Sequence, residues 1–177
     1  MLTLTAFAKG LANRVERSPS DALLLNELST HIETLPLAPA STSDKKEELD
    51  RVGTDLWNLS THLRRNERSS SGYLPCLLRV FAFLLLDSVQ PGTDCGPQNC
   101  VRLLKVALKT AKTCLDTVQL DLCAKSLERA ARYEEELSKS AAEEWPVEGM
   151  VYEKLRAEYF ILRTALVGSR LCPRFVI

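Results

Sequence analysis

Residues 43–67 read SDKKEELDRVGTDLWNLSTHLRRNE, and their spacing decides the fold. Leu49, Val52, Leu56, Leu59 and Leu63 recur at intervals of three and four. That spacing draws one apolar stripe along a helix of about 3.6 residues per turn. Asp44, with Glu47 three residues on, has the form of a capping box. Gly53 and Trp57 sit one turn apart beside the stripe. A helical side chain leans toward the preceding turn, so the indole is expected near the bare backbone of Gly53. Glycine inside a helix costs about 1 kcal/mol against alanine. Close approach of a second helix is the expected return.

The same periodicity recurs on both sides of this stretch. A first helix is predicted from about Thr3 to Arg17, ending at Ser18-Pro19. A second starts at Ser20 as N-cap, carries Leu23, Leu24, Leu28, Ile32 and Leu35, and stops before Pro36. Pro36 to Ser43 is a loop by composition. After a break at Ser69 to Gly72, Pro75 suits the first turn of a fourth helix. That helix is apolar on nearly every side through Leu86, with Arg79 as an interruption, so it is expected to be buried.

Gln90 to Gln98 is the clearest loop. Asn99 to Leu137 holds no Gly or Pro. A division near Asp116-Thr117 gives a fifth helix burying Val101, Leu104, Leu108, Ala111 and Leu115. The sixth then buries Leu120, Cys123, Leu127, Ala130 and Leu137; one continuous helix is the alternative. Asp121 with Lys125, and Glu128 with Arg132, are i,i+4 pairs worth a few tenths of a kcal/mol each. Trp145-Pro146 marks another break. A seventh helix carries Tyr152, Leu155, Tyr159, Leu162 and Leu166 and is expected to end at Gly168.

No alternation at period two persists, so the fold class is all-α, with about seven helices. Short connections imply antiparallel helical hairpins, stacked as a tetratricopeptide-like α-solenoid. Hairpin starts near residues 3, 44, 97 and 149 are irregular, and the regular 34-residue tetratricopeptide pattern is not visible. The domain is drawn over residues 1–166, with 167–177 as an irregular tail.

Composition limits the function. The chain has 177 residues, 45% apolar and 26% charged, which are ordinary values for a globular domain. Its 23 basic and 23 acidic residues cancel, so no long-range field favours nucleic acid or a membrane surface. No secretory signal opens the chain, and the six cysteines are read as thiols in a reducing compartment. The longest apolar run, Leu74 to Leu86, is far short of the roughly 20 residues a membrane span needs.

No reactive centre assembles from the sequence. Cys95 and Cys100 lack a second close pair, and His31 and His62 lie on separate helices, so no metal ligand set is assigned. No catalytic motif or phosphate-cradling loop is present, and no cofactor is assigned. Neighbouring carboxylates such as Glu134 to Glu136 point about 100 degrees apart on a helix and do not converge. Two basic groups stand out: Arg64, Arg65 and Arg68 at the end of the third helix, and a stripe of Arg102, Lys105, Lys109 and Lys112 on the fifth. Such a stripe suits an acidic protein or DNA phosphates. A solvated helix face is the plainer reading, and interleaved aromatics are lacking.

Leu49-Asp50, Gly53-Thr54-Asp55-Leu56-Trp57-Asn58-Leu59 and Leu63-Arg64-Arg65 resemble the N-terminal region of the fungal sporulation-specific protein twenty-two family, also called the Zip-four family. Tyr152 to Leu166 (YEKLRAEYFILRTAL) resembles a second stretch of that family. The resemblance spans most of residues 1–166, and the Gly-Thr-Asp-Leu-Trp-Asn block is its most specific portion. It implies a meiosis-specific helical-repeat scaffold, nuclear and chromosome-associated. Such scaffolds support synaptonemal complex assembly and crossover recombination by holding recombination and synapsis proteins together. DNA association would be indirect, without a membrane or small-molecule substrate, and there are no catalytic residues to carry over. Family members are several times longer, and the pattern fails after Leu166. The chain is therefore read as the N-terminal part of a longer architecture, a truncated product or a mispredicted gene model. A last hairpin without a neighbour would leave Tyr159, Phe160 and Leu162 partly exposed.

The expected function is a non-enzymatic interaction scaffold, with Trp57, Asn58, Arg64 and Arg65 as candidate surface or groove residues. The alternatives are a generic helical adaptor outside meiosis and a nucleic-acid binder using the Arg102 to Lys112 stripe.

Overall fold

The stripe within residues 43–66 forms the third helix of a computed structural model, which describes residues 4–17, 21–35, 43–66, 72–89, 96–140 and 146–171. Among these residues every element is an α-helix: α1 (Leu4–Arg17), α2 (Ala22–Thr34), α3 (Ser43–Asn66), α4 (Tyr73–Val89), α5 (Pro97–Asp116), α6 (Leu120–Ser140) and α7 (Pro146–Leu171). The side chain of Asp44, and with it the capping box, lies outside the described residues, as do Arg68, Cys95, Trp145 and Cys172. The chain divides into two compact units, Met1–Pro91 and Gly92–Ile177. The division falls within the stretch Gln90 to Gln98, of which 90–95 lie outside the described residues and Pro97 and Gln98 open α5 instead of closing a loop.

In the first unit, α3 buries Leu49, Val52 and Leu56, while Leu59 and Leu63 are half-buried. It runs antiparallel to α4. Ser60 and Thr61 meet Arg79, whereas Gly53, nearer the start of α3, meets Ala82 and Leu86. A methyl group at Gly53 would sit 3.0 Å from Leu86 Cγ and Cδ2 and 3.3 Å from the Ala82 carbonyl oxygen. The missing side chain thus admits α4, as the sequence led one to expect. α4 is buried from Leu74 to Val89; its Phe81 and Phe83 are fully enclosed and stabilise the fold by roughly 1.5–3 kcal/mol each.

α1 and α2 form the other hairpin of this unit, antiparallel through Phe7 against His31, with ring centroids 4.2 Å apart, and Arg14 against Glu27 at 2.6 Å. α1 lies on α3 and α2 on α4, first helix on first and second on second. Phe7 also meets Phe81 edge-on at 5.8 Å, and Lys9 pairs with Glu48. Two details differ from the sequence reading. The cap of α2 is Asp21, whose carboxylate accepts the Leu23 N–H at 2.9 Å, one residue after the expected Ser20. Leu23 itself is 71% exposed, because only Leu24, Leu28 and Ile32 point inward.

In the second unit, α5 and α6 form a hairpin through Thr117–Gln119, which settles the choice between one helix and two. The Gln119 N–H donates to Cys114 O at 2.7 Å and the Val118 N–H to Leu115 O at 3.0 Å. This paired closure needs a left-handed residue, and Val118 supplies it with φ 58°. The buried stripe of α5 is Cys100, Leu103, Leu104, Ala107, Leu108, Ala111 and Cys114; Val101 and Leu115 only flank it. α6 buries Cys123, Leu127, Ala130 and Leu137 as expected, adds Tyr133, and leaves Leu120 half-buried.

α7 packs on both α5 and α6 and is antiparallel to α6. Tyr152 reaches Glu134 near the end of α6, and Arg170 reaches Asp121 near its start at 3.1 Å. Pro146 opens α7 rather than prolonging a break, since proline at a first helical turn gives up only an N–H that has no partner there. The helix continues through Gly168 to Leu171 instead of ending at Gly168. A helical glycine costs about 1 kcal/mol, which does not stop a helix already anchored by Leu162 and Leu166.

Candidate protein-interaction surfaces

The candidates on α3 lie along the helix and do not converge on a pocket. Trp57 and Arg64 share one face, two turns apart; Asn58 and Arg65 share another. Asn58 and Arg65 are exposed beside Arg51, Asp55 and His62, a solvated face of mixed charge. Trp57 is half-buried, and its ring is covered by the Arg79 guanidinium of α4, 4.6 Å from the centroid.

Arg79 is the residue that sequence reasoning undervalued. It is 8% exposed within the apolar run of α4. Its Nε donates to Ser60 Oγ at 3.3 Å and its Nη2 to Thr61 Oγ1 at 2.7 Å. The two hydroxyls in turn donate to the Trp57 carbonyl at 2.7 and 3.1 Å. One buried cation thus organises the C-terminal half of α3. Burial of a charge is tolerable only with such partners, so an arginine in an otherwise apolar helix signals a polar counterpart nearby.

The basic stripe on α5 is intact: Arg102, Lys105, Lys109 and Lys112 are all exposed. A different surface appears between α6 and α7. A groove of about 300 Å³ is lined by Ala124, Leu127 and Ala131 from α6 and by Tyr159, Leu166 and Val167 from α7. Glu128 on the α6 wall and Arg163 on the α7 wall supply its charge. The outer side of α7 continues the apolar character with Phe160, Ile161, Val167 and Leu171, 48%, 67%, 52% and 78% exposed. Of the three residues expected at a bare helix, only Phe160 is exposed; Tyr159 and Leu162 are buried because the three-four stripe turns both toward the unit's interior.

Among the described residues, titration is perturbed at two sites. The Tyr152 hydroxyl is pushed above its ordinary value by burial, and further by the Glu134 carboxylate, which accepts its proton at 3.1 Å. Lys139 is raised by hydrogen bonds to Glu135 and Glu136. Cys76, Cys100, Cys114 and Cys123 are buried thiols. Among the described residues, no group of three His, Cys, Asp or Glu side chains is placed to hold a metal ion, and no helix is long and apolar enough to cross a membrane.

Fold and surfaces together define an all-α protein of packed helical hairpins that carries a charged stripe and an apolar groove. Comparison with protein-family models, with curated proteins and with solved structures finds no match to this chain.

Proposed function

We propose that the chain is a non-enzymatic protein-interaction scaffold in meiosis, nuclear and chromosome-associated, supporting synaptonemal complex assembly and crossover recombination. Its partners are other recombination and synapsis proteins, through which DNA is reached indirectly. The observation that carries the docking part is the α6–α7 groove with its exposed ridge, since apolar surface rimmed by polar residues suits partner binding. The occupant is an amphipathic helix of a partner protein. Its apolar stripe lies along Leu127, Ala131, Leu166 and Val167, with a cation toward Glu128 and a carboxylate toward Arg163.

The meiotic part rests on the family resemblance. Its most specific block contains Gly53 and Trp57, which join α3 to α4 by close approach and by the Arg79 contact. Following a tagged chain through entry into meiosis tests this reading. The expected result is a transcript confined to meiotic cells and signal along paired chromosomes. Abundant transcript in vegetative cells, with no chromosomal signal in meiosis, contradicts it.

A further inference from the structure

Three lysines of the α5 row stand apart from the ion pairs that link the other helices. Lys105, Lys109 and Lys112 are exposed, and no ion pair involves them among the described residues. Several other cations find carboxylates: Arg14 with Glu27, Arg132 with Glu128, Arg156 with Glu134, Arg170 with Asp121. On α5 the positions three and four residues from Lys105 and Lys109 hold no acid, and further lysines or Arg102 recur at those spacings. Only Lys112, with Asp116 four residues on, has an acid within reach on its own helix, so most of the row repels itself. The helix dipole does not account for it either. Cations are favoured in a last turn, and the last turn of α5 has none.

We infer that this row is a docking strip for an acidic α-helix of a partner protein, one with carboxylates at three-four spacing. Arg102 to Lys112 covers about 15 Å of helix, the length over which a second helix laid alongside keeps its own three-four row in register. A protein helix fits better than nucleic acid for two reasons. α5 has no aromatic residue on which a base could stack. The chain as a whole is electrically neutral. The inference rests on the scaffold reading and names a second partner chemistry for it, separate from the apolar groove.

The test titrates the full chain with a synthetic helix-forming peptide bearing Glu at three-four spacing, a Gln version of the same peptide, a Lys version, and single-stranded and duplex DNA. The expected result is binding of the Glu peptide that weakens with salt. It falls by about tenfold or more in the Lys105→Glu, Lys109→Glu, Lys112→Glu protein, which binds the Lys peptide instead. All three positions are exposed, and circular dichroism confirms that the variant is folded. Equal binding of the Gln peptide, unchanged binding by the reversed variant, or tighter binding of DNA than of the Glu peptide overturns the proposal. Loss of this strip leaves occupancy of the α6–α7 groove intact, so failure here is distinct from failure of the scaffold reading.

Discussion

The guanidinium of Arg79 lies 4.6 Å above the ring of Trp57, joining the buried helix α4 to α3. A desolvated contact of this kind is worth about 2 kcal/mol, and the guanidinium also satisfies Ser60 and Thr61. Arg79→Ala should lower the free energy of unfolding by about 3–5 kcal/mol, since it removes the cation and leaves a cavity and two hydroxyls without their donor. A double-mutant cycle with Trp57→Leu, read by denaturant unfolding, should give a coupling of about 1–2 kcal/mol. Additive losses would show that ring and cation act independently.

The glycine at position 53 is required by its neighbour and not by its own helix. Gly53→Ala gains about 1 kcal/mol in helix propensity but drives a methyl into Leu86 and the Ala82 carbonyl, an overpacking that typically costs about 1–3 kcal/mol. The net outcome is a lower unfolding midpoint. Gly10→Ala in α1 is the control. Nothing lies within 4 Å of the added methyl, so the midpoint should rise, by up to about 1 kcal/mol in stability.

The α5–α6 turn holds a β-branched residue in a left-handed conformation. Val118 has φ 58° and is 47% exposed, so its side chain gains little from burial while its backbone costs roughly 1–2 kcal/mol. Val118→Gly should raise stability by about 1 kcal/mol, less the extra freedom glycine gives the unfolded chain. A thermal melt that shifts downward would mean that the side chain is held by something other than the turn.

Tyr152 gives the protein an alkaline limb. In the unfolded chain its phenol ionises at its ordinary 10.0; in the folded chain burial and then Glu134 push that value up. The folded state therefore holds a proton that the unfolded state gives away. The contribution to stability is complete below pH 10 and is lost as pH rises through the folded value. Denaturant midpoints measured across this range should fall more steeply for the natural protein than for Tyr152→Phe. An identical pH profile in the two would remove Tyr152 as the cause.

How much of this was readable in advance differs by element. The stripe Leu49, Val52, Leu56 was legible because core faces repeat every three or four residues, and the same rule found the buried faces of α6 and α7. Adjacent residues defeat it. Leu23 and Leu24 are equally apolar, and only the packing of α2 on α4 decides that Leu24 turns inward. Punctuation misled at Gly168, because a buried neighbour such as Leu166 carries a helix across a weak residue. Arg79 was seen only as an interruption, since its partners lie 18 and 19 residues earlier on another helix. The groove was out of reach for the same reason. Ala124, Ala131 and Val167 are unremarkable in one dimension and become a surface only where α6 and α7 meet. The four cations of α5, by contrast, stand in the chain as they stand on the protein.

The most direct test of the docking account is purification of the natural chain and of Val167→Glu in parallel from meiotic cells, with identification of the proteins retained. Val167 lines the groove and is 52% exposed, so the variant keeps its fold while placing a charge where an apolar helix is expected to lie. The account predicts that synapsis and recombination proteins accompany the natural chain and are lost from the variant. The same proteins retained equally by both, or none retained by the natural chain, would contradict it.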